Sequence, residues 1–119
     1  MSELQMGAIE SRFADIIWEN EPVTTADLVR YGEEVFNWKK TTTYTVLKRL
    51  CNKGIFKMEK SVVTSLMSRD EFYAKRSEII VEEEFEGSLP MFLSAFSSRK
   101  SLTPEEVAKI REMIANYEE

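Results

Sequence analysis

The chain has 119 residues, which is enough for one compact domain or for a small domain with an extension. It carries a formal charge of −5, contains no histidine and has a single cysteine, which argues against cysteine–histidine metal sites and an internal disulfide. No apolar stretch reaches the roughly 20 residues of a membrane span, and no signal peptide is recognisable. We therefore expect a cytoplasmic protein that binds no metal and no cofactor.

Charge is distributed unevenly along the chain. Residues 36–60 include seven basic side chains and one acidic side chain, whereas residues 61–119 include seven basic and twelve acidic ones. A basic segment within an acidic chain predicts a local surface for a polyanion, which the overall charge conceals.

Two helices are predicted at the start of the chain. The first runs from about residue 6 to residue 19, ends before Pro22, and has apolar residues at helical spacing: Ile9, Phe13, Ile16 and Ile17. The second begins after Thr24, a typical N-cap residue, with Asp27 in the first turn, where the helix dipole favours an anion. The side chains expected to face inward in the second helix are Leu28, Val29 and Val35.

A third helix is predicted from about residue 41 to residue 53, followed by Gly54 in the position that usually requires a left-handed residue. The side chains expected on its inward face are Thr43, Val46, Leu47, Leu50 and Cys51. Those expected on its outward face are Thr41, Thr42, Thr45, Lys48, Arg49 and Asn52.

Two short β-prone runs, "IFKMEK" and "SVVTSLM", follow the third helix and predict a hairpin that turns near residues 60–61. Two helices joined by a turn and followed by a β-hairpin form a winged helix-turn-helix, whose second helix enters the DNA major groove. We expect the following residues to bind DNA: Lys39, Lys40, Thr41, Thr42, Thr45, Lys48, Arg49, Asn52, Lys57 and Lys60.

Three further helices are predicted in the C-terminal half. A capping box at Ser68 and Glu71 opens a long helix, a shorter helix starts near Ser88, and the last helix has Thr103 as N-cap. The fold class is therefore mainly α with a small β-hairpin: a winged helix-turn-helix at residues 1–68, then a helical dimerisation domain at residues 69–119. The apolar residues expected at the dimer interface are Leu89, Met91, Phe92, Leu93, Phe96, Val107, Ile110 and Ile114. Packing of these residues onto their own winged helix is the alternative.

Four segments resemble the penicillinase repressor family of bacterial transcription factors: "DIIWENEPVTTADLV", "WKKTTTYTVLKRLCNKGIF", "SRDEFYAKRSE" and "GSLPMFLSAFSSRKSLTPEEVAKI". The resemblance implies a homodimeric repressor whose winged helices bind a dyad-symmetric DNA operator and whose C-terminal helices interlock. It also implies relief by proteolysis, commonly linked to a membrane sensor protease, with the cleavage position falling at Ala95 and Phe96.

Two departures from the family pattern are visible. The family usually has Asn before the Phe at the cleavage position, where this chain has Ala95. The hairpin is shorter than usual and lacks the family's "GR" pair, so a weaker hold on DNA through it is expected. The cysteine cluster of the copper-responsive branch is absent, which argues against copper sensing.

Other functions are less consistent with the sequence. An enzyme is not expected, because the chain has no histidine, no paired nucleophile and base, and no glycine-rich phosphate loop. The acidic run at residues 82–86 is more typical of a solvated helix face than of a metal site. Cys51 is expected to be a small core residue rather than a redox sensor. The main alternative is a winged-helix protein-interaction module without sequence-specific DNA binding.

Overall fold

The computed structural model describes residues 6–117. Their helices and strands follow in the order α1 (Ala8–Asn20), β1 (Val23–Thr24), α2 (Thr25–Phe36), α3 (Lys40–Asn52), β2 (Phe56–Glu59), β3 (Val62–Ser65), α4 (Arg69–Glu84), α5 (Leu89–Arg99) and α6 (Pro104–Tyr117). The mainly helical fold class with a winged helix-turn-helix followed by further helices is confirmed.

The described chain divides into two compact units, residues 6–79 and residues 80–117, and the division falls inside α4. Phe72 explains why the first half of α4 belongs to the N-terminal unit, because its ring is fully buried in the core of that unit. The predicted domain limit at residues 68/69 coincides with the start of α4 and stays a prediction. The outer ends of the two predicted domains, residues 1–5 and 118–119, lie outside the described residues.

The core of the N-terminal unit is formed by side chains from its helices and its sheet, chiefly Phe13, Ile17, Leu28, Leu47, Leu50, Ile55, Phe56, Val63 and Phe72. Trp18 lies beside this core, where its Nε1–H donates to the carbonyl oxygen of Met67 at 3.0 Å. These contacts join α1, the sheet and the start of α4 into one structure.

One expectation for the inward faces was wrong, because Val35 is 43% exposed although it fits the helical spacing. Ile9 of α1 also fits the helical spacing of its neighbours and is 52% exposed. The apolar surface near the end of α2 is covered instead by Phe36 and Trp38, whose rings stack with centroids 4.5 Å apart, and both rings lie against Phe13. Asn37 adopts the left-handed conformation (φ 58°) and thereby turns the chain so that these two rings meet.

The sheet has three antiparallel strands in the order β1–β3–β2. The predicted hairpin is confirmed, and its turn is formed by Lys60 and Ser61, both in the left-handed region with φ of 51° and 64°. The sequence pattern did not reveal β1, in which Val23 pairs with Val63. This third strand fixes the start of α2 to the hairpin, since the backbone N–H of Thr25 also donates to the carbonyl oxygen of Ser61 at 3.0 Å.

The predicted helix starts are confirmed by their capping bonds. The Glu71 N–H donates to Ser68 Oγ and the Ser68 N–H donates to Glu71 Oε1, each at 3.0 Å. The same reciprocal pair joins Thr103 and Glu106 at the start of α6, and Ser88 Oγ accepts from the Met91 N–H at the start of α5. Each cap satisfies backbone donors that would otherwise lack a partner in the first turn.

Candidate nucleic-acid interface

Helix α3 presents two chemically distinct faces. Thr43, Val46, Leu47 and Leu50 are buried as predicted, whereas Cys51 is only half-buried at the edge of the inward face. Gly54 follows the helix with φ of 80°, a conformation that L-residues rarely adopt, so it ends α3 where the sequence predicted. The buried face fixes the direction in which every other side chain of α3 points.

The opposite face carries the six residues that were predicted to point outward, and all six are exposed. At 100° per residue they fall within about a third of the helix circumference, and we call them the polar arc: Thr41, Thr42, Thr45, Lys48, Arg49 and Asn52. Lys39 and Lys40 are also exposed and stand at the N-terminal end of the helix. No acidic residue occurs within α3, so the charge of the polar arc is wholly positive.

Two side chains of the polar arc already have intramolecular partners. Thr45 Oγ1 donates to the carbonyl oxygen of Thr41 at 2.9 Å, which orients its hydroxyl along the helix. Arg49 Nη1 donates to Glu10 Oε2 of α1 at 3.0 Å. Lys48, with Lys39 and Lys40 before the arc, forms no ion pair with any residue in the range 6–117.

The two basic residues of the hairpin differ in their surroundings. Lys57 Nζ lies 3.0 Å from Glu59 Oε1, because residues two apart on a strand share one face. Its charge is therefore partly neutralised within the hairpin. Lys60 stands exposed in the turn and has no ion pair with the described residues. The hairpin thus offers one unpaired cation at its tip.

Two features near the polar arc were missed by reasoning from the sequence. Tyr44 is 37% exposed beside the arc and, with Leu47, Lys48, Cys51 and Met58, lines an open cleft of about 360 Å³ between α3 and β2. The cleft follows from the helical position of Tyr44, which lies between the buried and polar faces. Glu10 was also missed, because its approach to α3 depends on how α1 packs.

The chain is similar to a known protein family over nearly its whole length. The model of the penicillinase repressor family matches residues 6–116, nearly the whole chain. The chain belongs to the penicillinase repressor family. A comparison with curated proteins finds no match. The family implies a transcriptional repressor, and its members are regulators rather than enzymes.

The C-terminal unit of this family member leaves much of its apolar surface uncovered. No residue of α5 or α6 is buried in the single chain. Of the eight residues predicted at an interface, Leu89, Met91, Phe96 and Ile114 are exposed, and Phe92, Leu93, Val107 and Ile110 are partly covered. We call these eight residues the C-terminal apolar surface. Met113 and Tyr117, which were not predicted at an interface, are also exposed, at 60% and 91%.

A cleft of about 400 Å³ lies within this surface. Phe92, Leu93, Phe96, Leu102 and Ile110 line it, together with the charged Glu106 and Lys109. Phe92 packs between two other aromatic rings. Its ring meets that of Phe85 edge-on, with centroids 5.2 Å apart, and stacks on that of Phe96, with centroids 6.3 Å apart. The unit therefore presents an ordered apolar groove.

The predicted cleavage position lies within the regular part of α5. Ala95 and Phe96 are both exposed, and their carbonyl oxygens accept hydrogen bonds from Ser98 Oγ and from the Lys100 N–H. A protease that binds an extended substrate reaches this bond only after the helix opens locally.

Residues 6–117 contain neither a membrane-spanning helix nor a cluster of metal ligands. In the described part of the chain, no helix is both long and apolar enough to cross a bilayer. Within residues 6–117, acidic and cysteine side chains form no group of three or more that could hold a metal ion.

Proposed function

We propose that this chain is a homodimeric transcriptional repressor that binds a dyad-symmetric operator through α3 of each copy. The polar arc is the observation that carries the proposal, because its hydroxyl and cationic side chains are exposed together and no acid interrupts them. Ordinary solvated helix faces mix both signs of charge, whereas a DNA-contacting face is positive.

The order of side chains along the polar arc supports insertion of α3 by its N-terminal end. Thr41, Thr42 and Thr45 come first, where hydroxyls reach phosphates or base edges and a Thr methyl meets the methyl of thymine. Lys39 and Lys40 flank the same end, where the helix dipole also favours an anion. The remaining side chains of the polar arc lie one to three helical turns after these threonines and reach phosphates or guanine: Lys48, Arg49 and Asn52.

The hairpin supplies a smaller part of the proposed interface. Lys60 at its tip is available to bind a phosphate. Lys57 is paired with Glu59, so it binds a phosphate only when that ion pair is broken. This supports the expectation that the shortened hairpin holds DNA more weakly than the longer hairpin usual in the family.

Dimerisation is supported by the C-terminal apolar surface. Exposed apolar side chains in this number are rarely left to solvent, and a second copy presents the same residues in return across a two-fold axis. A two-fold dimer places two α3 helices on half-sites about 10 base pairs apart or a multiple of that spacing.

Relief of repression by proteolysis between Ala95 and Phe96 is part of the proposal and comes from the family resemblance alone. A membrane sensor protease is the proposed partner. Mass spectrometry of the protein recovered before and after derepression tests it: fragments ending at Ala95 support cleavage, and an intact chain throughout derepression contradicts it.

Selection of duplexes from a random pool, by the purified protein near physiological salt, tests the proposed function as a whole. We expect enrichment of an inverted repeat, because two symmetric copies read two half-sites. A pool that stays unenriched, from protein shown to be folded and dimeric, contradicts operator binding and favours a protein-interaction module.

A further inference from the structure

One carboxylate of α1 holds two cations of α3. Glu10 Oε2 accepts from Arg49 Nη1 at 3.0 Å, and Glu10 Oε1 accepts from Lys53 Nζ at 3.3 Å. Glu10 Oε1 also accepts from the backbone N–H of Gly7 at 3.3 Å, which fixes the carboxylate at the start of α1. The Glu10 side chain is only 14% exposed, whereas that of Arg49 is 55% exposed, so a fixed acceptor holds a side chain that otherwise extends into solvent.

Glu10 carries its negative charge at neutral pH. Burial raises the pKa of this carboxyl, but hydrogen bonds from Gly7, Arg49 and Lys53, together with the charge of Lys53, outweigh burial and leave its pKa below the ordinary value. A full negative charge therefore sits against the C-terminal end of a helix that contains no acid of its own.

We infer that Glu10 is a positioning residue of the DNA interface, which restrains Arg49 and Lys53 and thereby limits the attraction of α3 for DNA of any sequence. The inference deepens the proposed function and rests on one part of it, the contact of α3 with DNA. It assigns to Glu10, a residue outside α3, control over how strongly the polar arc attracts phosphate.

The physical basis is competition between two anions for the same cations. A phosphate that recruits Arg49 must displace or share the Glu10 carboxylate, so each such contact releases fewer counterions than a free arginine would. Non-specific binding consists almost entirely of such phosphate contacts. A guanidinium held at one edge keeps its other N–H groups in a fixed direction, which favours a single base or phosphate geometry over many.

A purely structural role for Glu10 predicts something different. If the ion pairs only fasten α1 to α3, their loss lowers the temperature of unfolding but leaves the salt dependence of DNA binding unchanged. The dependence of affinity on salt therefore separates the two roles, since its slope counts the cations that contact phosphate.

Glu10→Gln is the decisive variant, because the amide keeps the shape of the side chain and can still accept from Gly7 while losing the charge. The probe is a labelled duplex of mixed sequence about 20 base pairs long, enough for two half-sites, titrated at several KCl concentrations. We expect Glu10→Gln to bind roughly five- to tenfold more tightly near 0.1 M salt, with a slope steeper by about 1 for each additional phosphate contact.

Asp15→Asn is the matched control. It removes one carboxylate from the same helix and breaks an ion pair of similar geometry, in which Asp15 Oδ1 lies 2.9 Å from Arg69 Nε of α4 rather than from a residue of α3. We expect its affinity and slope to equal those of the unchanged protein. In an Arg49→Ala background, Glu10→Gln should raise affinity less than in the unchanged protein.

The outcomes separate this inference from the proposed function. If Glu10→Gln binds with the same affinity and the same salt slope as the unchanged protein, the inference is overturned and operator binding is unaffected. The same conclusion follows if Asp15→Asn gains as much affinity as Glu10→Gln. A gain in affinity that occurs in Glu10→Gln and not in Asp15→Asn supports the inference. It does so even if the random pool yields no preferred sequence, since that result contradicts only operator binding. Absence of duplex binding by every variant at low salt removes both.

Discussion

Gly32 of α2 lies directly against Thr43 of α3, and a Cβ atom at residue 32 would overlap Thr43 Oγ1. The contact lets the two helices of the helix-turn-helix approach closely. The Thr43 hydroxyl is buried there and has no hydrogen-bond partner among residues 6–117. The close approach is what holds the buried face of α3 in place, and the direction of the polar arc depends on it.

Gly32→Ala should lower the free energy of unfolding by about 2 kcal/mol, because the added methyl group forces the two helices apart. Urea unfolding followed by circular dichroism measures the change. Combining Gly32→Ala with Thr43→Ala should give less destabilisation than the sum of the single changes, since the second change opens the space that the first one fills. Strict additivity would show that the two residues do not compete for this space.

Thr43→Val should raise the free energy of unfolding by about 1 kcal/mol, because valine has the same branched shape but leaves no unpaired hydroxyl buried. The same urea experiment measures it. Thr42→Val, on the exposed face of the same helix, is the control and should change stability by less than about 0.5 kcal/mol. A loss of stability in Thr43→Val would show that the Thr43 hydroxyl has a partner.

Lys48→Ala should weaken binding to all duplexes about equally and reduce the salt slope by about 1, because Lys48 is an unpaired cation of the polar arc. Thr45→Ala and Arg49→Ala should also weaken operator binding, without changing the fold or the dimer. Fluorescence anisotropy at several salt concentrations provides the comparison. Lys75→Ala, which removes an exposed charge from α4, should bind like the unchanged protein. If none of the three α3 changes alters affinity, α3 is not in the interface.

Leu93→Asp and Phe96→Asp should each give monomers at micromolar concentration, because a carboxylate is costly to bury in an apolar contact. Loss of the second DNA-binding unit should then weaken operator binding by roughly 10²-fold or more. Sedimentation equilibrium gives the oligomeric state. Ser98→Asp adds the same charge at an exposed position of α5 outside the C-terminal apolar surface and should remain dimeric. A stable dimer from both apolar variants would exclude this surface as the interface.

Cys51 should react slowly with iodoacetamide at neutral pH, because burial raises the pKa of its thiol and only the thiolate reacts. The alkylation rate should continue to increase with pH beyond the point at which a free cysteine levels off. Mass spectrometry of timed samples from pH 7 to pH 10 follows the reaction, with urea-unfolded protein as the control. Equal rates for folded and unfolded protein at neutral pH would indicate a reactive thiol and restore a redox role.

Ser61→Gly should raise the free energy of unfolding by about 0.5 kcal/mol. Relief of the left-handed backbone contributes about 1 kcal/mol, and the greater freedom of glycine in the unfolded chain offsets part of it. Thr64→Gly, in the extended strand β3, should instead destabilise by about 1 kcal/mol. Thermal unfolding compares the two variants. A lower midpoint for Ser61→Gly would mean that the turn depends on the serine side chain.

Features that depend on neighbouring residues in the chain could be predicted from the sequence. The caps at Ser68 and Thr103, the end of α3 at Gly54 and the division of α3 into two faces all follow from local spacing and local hydrogen bonds. The Lys57–Glu59 pair also follows from the predicted hairpin, since the two side chains share a face.

Features that depend on packing could not be predicted in this way. A two-residue strand such as β1 has no pattern of its own and exists because Val23 meets Val63. Val35 fits the inward spacing of α2 but lies where Phe36 and Trp38 already cover the core. The approach of Glu10 to Arg49 joins residues 39 positions apart, and only the arrangement of α1 against α3 creates it.

The absence of any buried side chain in α5 and α6 links the proposed dimer to the amount of protein in the cell. When copies are scarce, the two helices have little to pack against, and opened segments are the preferred substrates of proteases. If the proposed dimer forms, plentiful copies cover the same helices, and each chain is then expected to survive longer. We therefore expect the concentration of this repressor to fall more steeply than its rate of synthesis once that rate declines.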